Sequence, residues 1–271
     1  MEFMFDHVVH FVEDPEKAIA FLKEKGIAAV EGGVHENRGT YNAVSYFDLS
    51  YIELLSTYDK ELVKQTQHPR HSFLETVAEE QFTEGFSRVA IRTTDIEGAA
   101  RHFREKGLMV NGPESFSRKR PDGSLVEWQL LYIGQLNGEL ELPFIIQWKE
   151  KDEERRQELT GSKVIQPHPS KAVFSHVTFA VRDLEKTVRQ WSEWFDLEAG
   201  EKFFDETLQA QCQALELKGG RFVFSSPVGD GIVASVLRQR GERPFQVSLS
   251  SPVNSSSFEL FGGMYEIKKA H

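Results

Sequence analysis

Three short apolar segments of this chain each carry a polar residue at the third position: Phe5-Asp6-His7-Val8-Val9, Phe86-Ser87-Arg88-Val89-Ala90 and Phe174-Ser175-His176-Val177-Thr178. An imidazole so placed can pass a proton near neutral pH or ligate a metal, and a guanidinium can grip a carboxylate or phosphate through two N–H bonds. His7, Arg88 and His176 are therefore the first places to look for chemistry. A core histidine with its bonds satisfied is the competing reading of His7.

Each of these strands must be held in place by the elements next along the chain. Asp14 caps a helix with Pro15 at its first position, Ala18, Phe21 and Leu22 recur at helical spacing, and Gly26 stops it. After a Gly32-Gly33 turn and the polar loop His35 to Gly39 come two β-rich runs, Tyr41 to Phe47 and Tyr51 to Ser56, so the unit sums to βαβββ. The second copy repeats this from Phe86: Asp95 caps a helix ending at Gly107, Arg118-Lys119-Arg120-Pro121-Asp122-Gly123 makes a basic turn, and Leu125 to Ile133 and Phe144 to Trp148 supply late strands. A third copy starts at Phe174, with Leu184, Val188, Trp191 and Phe195 as one apolar helical stripe. A fourth is abbreviated: Ile232 to Arg240 is helical, Pro244 to Ser250 is a strand, and a hairpin turns about Gly262-Gly263. The fold class expected is α+β, with repeated βαβββ units pairing into cupped mixed sheets in two tandem domains. Residues 1–150 form the first domain, 151–173 a charged linker marked by Gln166-Pro167-His168-Pro169, and 174–271 a second, degenerate one.

Composition narrows the partners. A hydrophobic fraction of 39% with 27% charged residues is that of a soluble globular protein without a membrane-spanning run. Cys212 is the single cysteine, which excludes an internal disulfide and fits a reducing cytoplasm, as does a start that lacks export features. A net charge of −10 argues against nucleic acid and anionic membranes, which need clustered Lys and Arg. A small-molecule ligand is the partner expected, with a homodimer left open.

The paired units, with Phe5-Asp6-His7-Val8-Val9, Gly32-Gly33-Val34-His35, Gly39-Thr40-Tyr41-Asn42 and Tyr51-Ile52-Glu53-Leu54-Leu55, resemble the vicinal oxygen chelate superfamily and within it the glyoxalase-like domain proteins. The superfamily also includes bleomycin- and fosfomycin-resistance proteins, epimerases and extradiol dioxygenases. The resemblance covers most of residues 5–150 and is weaker over 174–267. It implies a cup lined by four positions, two per unit, that often hold a divalent metal.

Carried over residue by residue, those positions are His7, Glu53, Arg88 and Gln147. His7, Glu53 and Gln147 could bind Zn²⁺, Ni²⁺, Mn²⁺ or Fe²⁺, but a guanidinium has no lone pair to donate and repels a cation. No cofactor is therefore favoured, and the set suits an anionic ligand gripped by Arg88, with His7 and Glu53 as proton-transfer groups. The other reading is a structural Arg88–Glu53 ion pair. With a turn at Leu49-Ser50, Tyr46 faces Glu53 and Asn42 shares that face, while His35 comes from the adjoining loop; all three are expected to contact substrate. His10 has the opposite parity. In the C-terminal half, His176, Gln246 and Glu266 resemble the two-His-one-carboxylate set of extradiol dioxygenases with one His replaced by Gln, and the Gly262-Gly263 turn sets Glu259 opposite Glu266. The function expected is binding of a small anionic or carbonyl-bearing molecule in the N-terminal cup, with proton transfer, lyase or isomerase chemistry. The alternatives are a metal-free sequestering protein like the drug-resistance members, and a dioxygenase-like metal enzyme using the C-terminal half.

Overall fold

The computed structural model describes residues 2–270 except 36–37, 120–124, 137 and 139, so Glu36, Asn37 and Arg120 of the polar and basic loops lie outside the described residues. The chain runs β1 (Met4–Phe11), α1 (Pro15–Glu24), β2 (Val30–His35), β3 (Thr40–Phe47), β4 (Ser50–Thr57), α2 (Lys60–Gln65), α3 (Phe73–Glu79), β5 (Gly85–Arg92), α4 (Ile96–Glu105), β6 (Met109–Lys119), β7 (Leu125–Gly134) and β8 (Phe144–Trp148). It continues through α5 (Asp152–Gly161), β9 (Val173–Ala180), α6 (Leu184–Phe195), β10 (Ala199–Asp205), β11 (Ala210–Leu215), β12 (Arg221–Pro227), α7 (Ile232–Arg240), β13 (Arg243–Ser251), β14 (Ser256–Leu260) and β15 (Gly263–Lys269). Two mixed sheets result, ordered β2-β3-β4-β1-β5-β8-β7-β6 and β10-β11-β12-β9-β13-β15-β14. In the first, edge strands β2 and β6 curl back into contact, which makes the cup. The architecture is the expected one of paired βαβββ-type units, the last lacking a helix between its first strand and its hairpin. No helix among the described residues is long and apolar enough to cross a membrane.

The four first strands share one device. Antiparallel pairing of β1 with β5 slips between Phe5 and His7, and that of β13 with β9 slips between Pro244 and Gln246, with matching slips opposite Ser87 and Ser175. Each slip is a β-bulge, in which one extra residue breaks strict alternation and re-aims a side chain. The bulge residue falls directly before His7, Arg88, His176 or Gln246. Around the local twofold of β1 and β5, with Val8 opposite Val89, His7 and Arg88 are equivalent positions.

The two sheets are joined by one apolar core rather than by a flexible tether. Phe5, Val8 and Ile91 of the first sheet belong to the same buried cluster as Val177, Phe179, Val247 and Leu249 of the second. Phe5 stacks on Phe174 at 4.7 Å and meets the edge of Phe222 at 6.0 Å. The stretch expected as a charged linker is structured: α5 turns Arg155 inward, Arg156 pairs with Asp48 on the β3–β4 turn at 2.6 Å, and His168 bridges Ala28 N (2.9 Å) and the Tyr46 carbonyl (2.9 Å). A run of charges reads as solvated, yet a helix needs only one inward position to dock.

His10 also ties the halves together. Its Nδ1 accepts from the Tyr265 hydroxyl at 2.7 Å and its Nε2–H donates to the Phe261 carbonyl at 3.0 Å, an arrangement that uses the neutral ring. Burial, aided by Arg240, pushes His10 down to about 4 from 6.5. Because the folded value is the lower one, its contribution to stability is complete above pH 6.5 and is lost as the pH falls from there toward 4. Thermal melts should therefore show a decline in Tm over that window that is shallower in His10→Gln; equal slopes would contradict the assignment. Phe5→Ala should cost about 3–5 kcal/mol in urea unfolding, with tryptophan emission and circular dichroism changing together; two separate transitions would mean separate cores.

Candidate functional site

At the floor of the first cup, the Asp6 bulge puts two successive side chains on the concave side. His7 Nδ1 lies 2.7 Å from Asp6 Oδ1 and His7 Nε2 lies 3.5 Å from Glu53 Oε2. Asp6 is an ionised acceptor, so the proton on that side belongs to Nδ1, which leaves Nε2 facing Glu53 and the cavity. Glu53 is fixed from its other oxygen: Asn42 Nδ2 donates to Oε1 at 2.5 Å, while Asn42 Oδ1 accepts from Gly33 N at 2.9 Å, which settles the orientation of the amide. Strand register explains the grouping, since β1 and β4 run parallel with His7 beside Tyr51 and Val9 beside Glu53. The His7 ring stacks on Tyr51 (4.4 Å) and Tyr51 on Tyr46 (4.5 Å), so the plane of the imidazole is held as well as its edge.

Asp6 is fully buried, and it is compensated by groups that sequence reasoning leaves unassigned. Trp148 Nε1 donates to Oδ2 at 3.0 Å, and Arg155 Nη1 lies 3.5 Å away. Burial alone would lift this carboxyl, but Arg155 and His7 outweigh it and hold it at about 2. Arg155 itself lies 4.1 Å over the Trp148 ring and reaches the Tyr46 hydroxyl at 3.4 Å. The signal for Asp6 is present, as an acidic residue next to a histidine inside an apolar strand. Arg155 carries no such signal.

The cavity above these groups has a volume of about 700 Å³. Tyr46, Tyr51, Phe73, Trp128, Phe144 and Trp148 supply apolar walls, and His35, Arg38, Asn42 and Arg118 line it from the β2–β3 and β6 side. Tyr46 and Asn42 share the face of Glu53 as expected, although the turn falls at Asp48-Leu49, so that Tyr46 opposes Tyr51 and Val44 opposes Glu53.

Comparison with known proteins fits this geometry. The glyoxalase-like domain model matches residues 5–195. The chain belongs to the glyoxalase-like domain family. A hypothetical protein from Staphylococcus aureus has the same fold over 99% of this chain and 100% of its own, at 24% identity and a TM-score of 0.81. A triple mutant of 4-hydroxymandelate synthase from Streptomyces coelicolor aligns over 92% of this chain and 71% of that one, at 12% identity and a TM-score of 0.60. A search of curated proteins by sequence found no match.

Members of the wider superfamily often place a divalent metal on the four cup positions, and in this glyoxalase-like chain those positions differ from the expected set. β4 and β8 are equivalent strands: Val9 pairs with Glu53, its counterpart Ala90 pairs with Phe144, and the counterpart of Glu53 is thus Phe144, not Gln147. Gln147 points to the other face, where its Oε1 accepts from Ile96 N at 2.7 Å at the start of α4. Strand alternation moves it there, because β8 begins three residues before it. Arg88 does lie on the concave face but is roofed by α3 and faces neither Glu53 nor the cavity. It donates to Thr76 Oγ1 (3.1 Å), pairs with Glu141 (3.1 Å) and bonds the Leu142 carbonyl. The set is then His7, Glu53, Arg88 and Phe144, of which two residues have no lone pair to give. No group of three or more His, Cys, Asp or Glu among the described residues could hold an ion. These residues do not fit a resident metal.

The C-terminal trio is brought together around a cavity of about 90 Å³ but is already partnered. Glu266 Oε2 takes Gln246 Nε2 at 3.1 Å, Ser248 Oγ at 3.3 Å and Lys268 Nζ at 3.2 Å, and His176 Nδ1 meets Ser175 Oγ at 2.9 Å. Burial, with Arg221 and Lys268, pushes His176 down to about 4. An ammonium beside the only carboxylate of the trio does not fit a dication. Glu259 opposes Met264 rather than Glu266, because the tight turn is Phe261-Gly262, both at positive φ.

The Asp6–Arg155 pair has a direct energetic consequence. Arg155→Met should destabilise the protein by about 3–5 kcal/mol in urea unfolding by leaving Asp6 buried without its cation, and adding Asp6→Asn should restore much of that. Additive losses in the double variant would show that the two charges do not depend on each other.

Proposed function

We propose that the N-terminal cup is the active site of an acid–base enzyme that moves a proton at a carbon next to a carbonyl group, without a resident metal. The observation that carries this reading is the fixed, buried facing of His7 Nε2 and Glu53 Oε2 at 3.5 Å on the cavity floor. Two groups that close can address the C–H and the carbonyl oxygen of one substrate. Glu53 takes the carbon-bound proton, and His7, protonated at Nε2, gives a proton to the oxygen as the enol forms; Glu53 then returns a proton to carbon as the enol O–H proton passes back to His7 Nε2, which yields the isomer or epimer and restores both groups. Asp6 holds the ring in place and stabilises the imidazolium. Tyr46 and Tyr51, both raised in pKa by burial, remain neutral hydroxyls beside it.

The six aromatic rings of the wall favour a second reading, in which the cup sequesters a flat molecule without turning it over. Proton NMR in D₂O with a panel of small carbonyl compounds, 2-oxobutyrate among them, separates the two. The acid–base reading expects deuterium to enter the carbon beside the carbonyl of at least one compound, with Glu53→Gln slowing this by on the order of 10²-fold or more. Quenching of tryptophan emission by compounds that exchange no faster than in buffer would leave sequestration.

A further inference from the structure

We infer that the end of the cup between β2 and β6 is an oxyanion subsite, formed by Arg38 and Arg118 with His35, and that the molecule bound there carries a carboxylate or phosphate on a flat apolar body. The inference rests on the cup being the ligand site, as proposed above, and adds the class of ligand.

Arg118 lies directly on the backbone of Gly33, where a β-carbon would come within 1.7 Å of Nη1. Gly33 thus makes room for the guanidinium at the cavity wall, on the same segment that orients Asn42 and through it Glu53. Arg38 lies 4.0 Å over the Phe116 ring and also engages the Tyr132 hydroxyl. Among the described residues no carboxylate is within ion-pair distance of Arg38 or Arg118, whereas Arg155 at the opposite end has Asp6. Of the carboxylates that line the cavity, Glu150 and Glu158 come from the α5 side, Glu31 is exposed on β2, and Glu53 is bonded to Asn42. His35 bonds Thr40 Oγ1 through Nδ1 at 3.1 Å and is kept below its usual pKa by burial together with Arg118 and Arg38, against the pull of Glu53. Arg118 against Gly33, Gly33 N on Asn42 Oδ1 at 2.9 Å and Asn42 Nδ2 on Glu53 Oε1 at 2.5 Å form one continuous wall of one cavity, which puts the cationic end and the acid–base pair within reach of a single small ligand. Two guanidiniums with an aromatic wall between them and the floor suit an oxyanion on a planar frame, since each can offer paired N–H donors.

Benzoate and its neutral isostere benzamide test this on the full chain, with tryptophan emission or calorimetry reading affinity and inorganic phosphate as a headgroup-only probe. Benzoate should bind at least about tenfold tighter than benzamide, and raising salt from about 0.05 to about 0.5 M should weaken benzoate alone. Arg38→Gln with Arg118→Gln should bring benzoate affinity down to that of benzamide measured in the same double variant, whose urea transition should stay single and cooperative; competition by phosphate would extend the subsite to phosphates, and its absence would confine it to carboxylates. Equal affinities for the two probes, a preference that survives in the double variant, or no binding of either would overturn the subsite. A benzoate preference without deuterium exchange on any carbonyl compound would retain the subsite and remove the acid–base reading. The reverse would do the opposite.

Discussion

The buried negative charge on Asp6 is the constraint on which the N-terminal cup depends. A carboxylate with no exposed surface is tolerated only with compensation, and here an imidazole, an indole N–H and a guanidinium converge on it from β1, β8 and α5. Each compensating group is also part of the cup wall. The demand of one charge therefore fixes the tautomer of His7, the position of Trp148 and the docking of α5 over the cavity. The β-bulge makes this arrangement available, because in a regular strand Asp6 and His7 would face opposite ways.

The same backbone device occurs four times with different occupants, and the differences follow the chemistry of each place. In front of His176 the bulge residue is Ser175, whose hydroxyl meets the same ring nitrogen that Asp6 meets on His7. That exchange substitutes a neutral partner for a charged one, and the C-terminal imidazole sits in a small cavity where Glu266 is bound to Lys268. Before Arg88 the bulge residue is Ser87, and the guanidinium is sealed beneath α3 with Glu141. One of four equivalent strands thus keeps an oriented imidazole facing both a carboxylate and a large cavity.

Much of this is legible in the residues. The βαβββ order and the helix limits at Ile232–Arg240 come from caps and glycine stops, the pairing of His7 with Glu53 from the family resemblance, and the addition of Asn42 and Tyr46 from period-two alternation. The failures have identifiable reasons. Carrying the family's fourth cup position over to Gln147 misplaces it, because the strand register puts Phe144 there. Arg88 looks open only while the stretch after Thr57 is given no elements, although Asp59 and Ser72 are the caps of α2 and α3, and α3 roofs it. Arg155 is hidden by its neighbours, since a charged run gives no period from which one inward residue can be picked.

The proposed chemistry needs a His7 ring whose Nδ1 proton is held by Asp6 and whose Nε2 faces Glu53. Nitrogen-15 NMR of the histidine rings, with His7 assigned by its loss in His7→Gln, reads this directly. The account predicts a protonated Nδ1 with a slowly exchanging, downfield proton that disappears in Asp6→Ala. A His7 that carries its proton on Nε2 alone in the neutral form, or whose Nδ1 proton is unaffected by loss of Asp6, would contradict it.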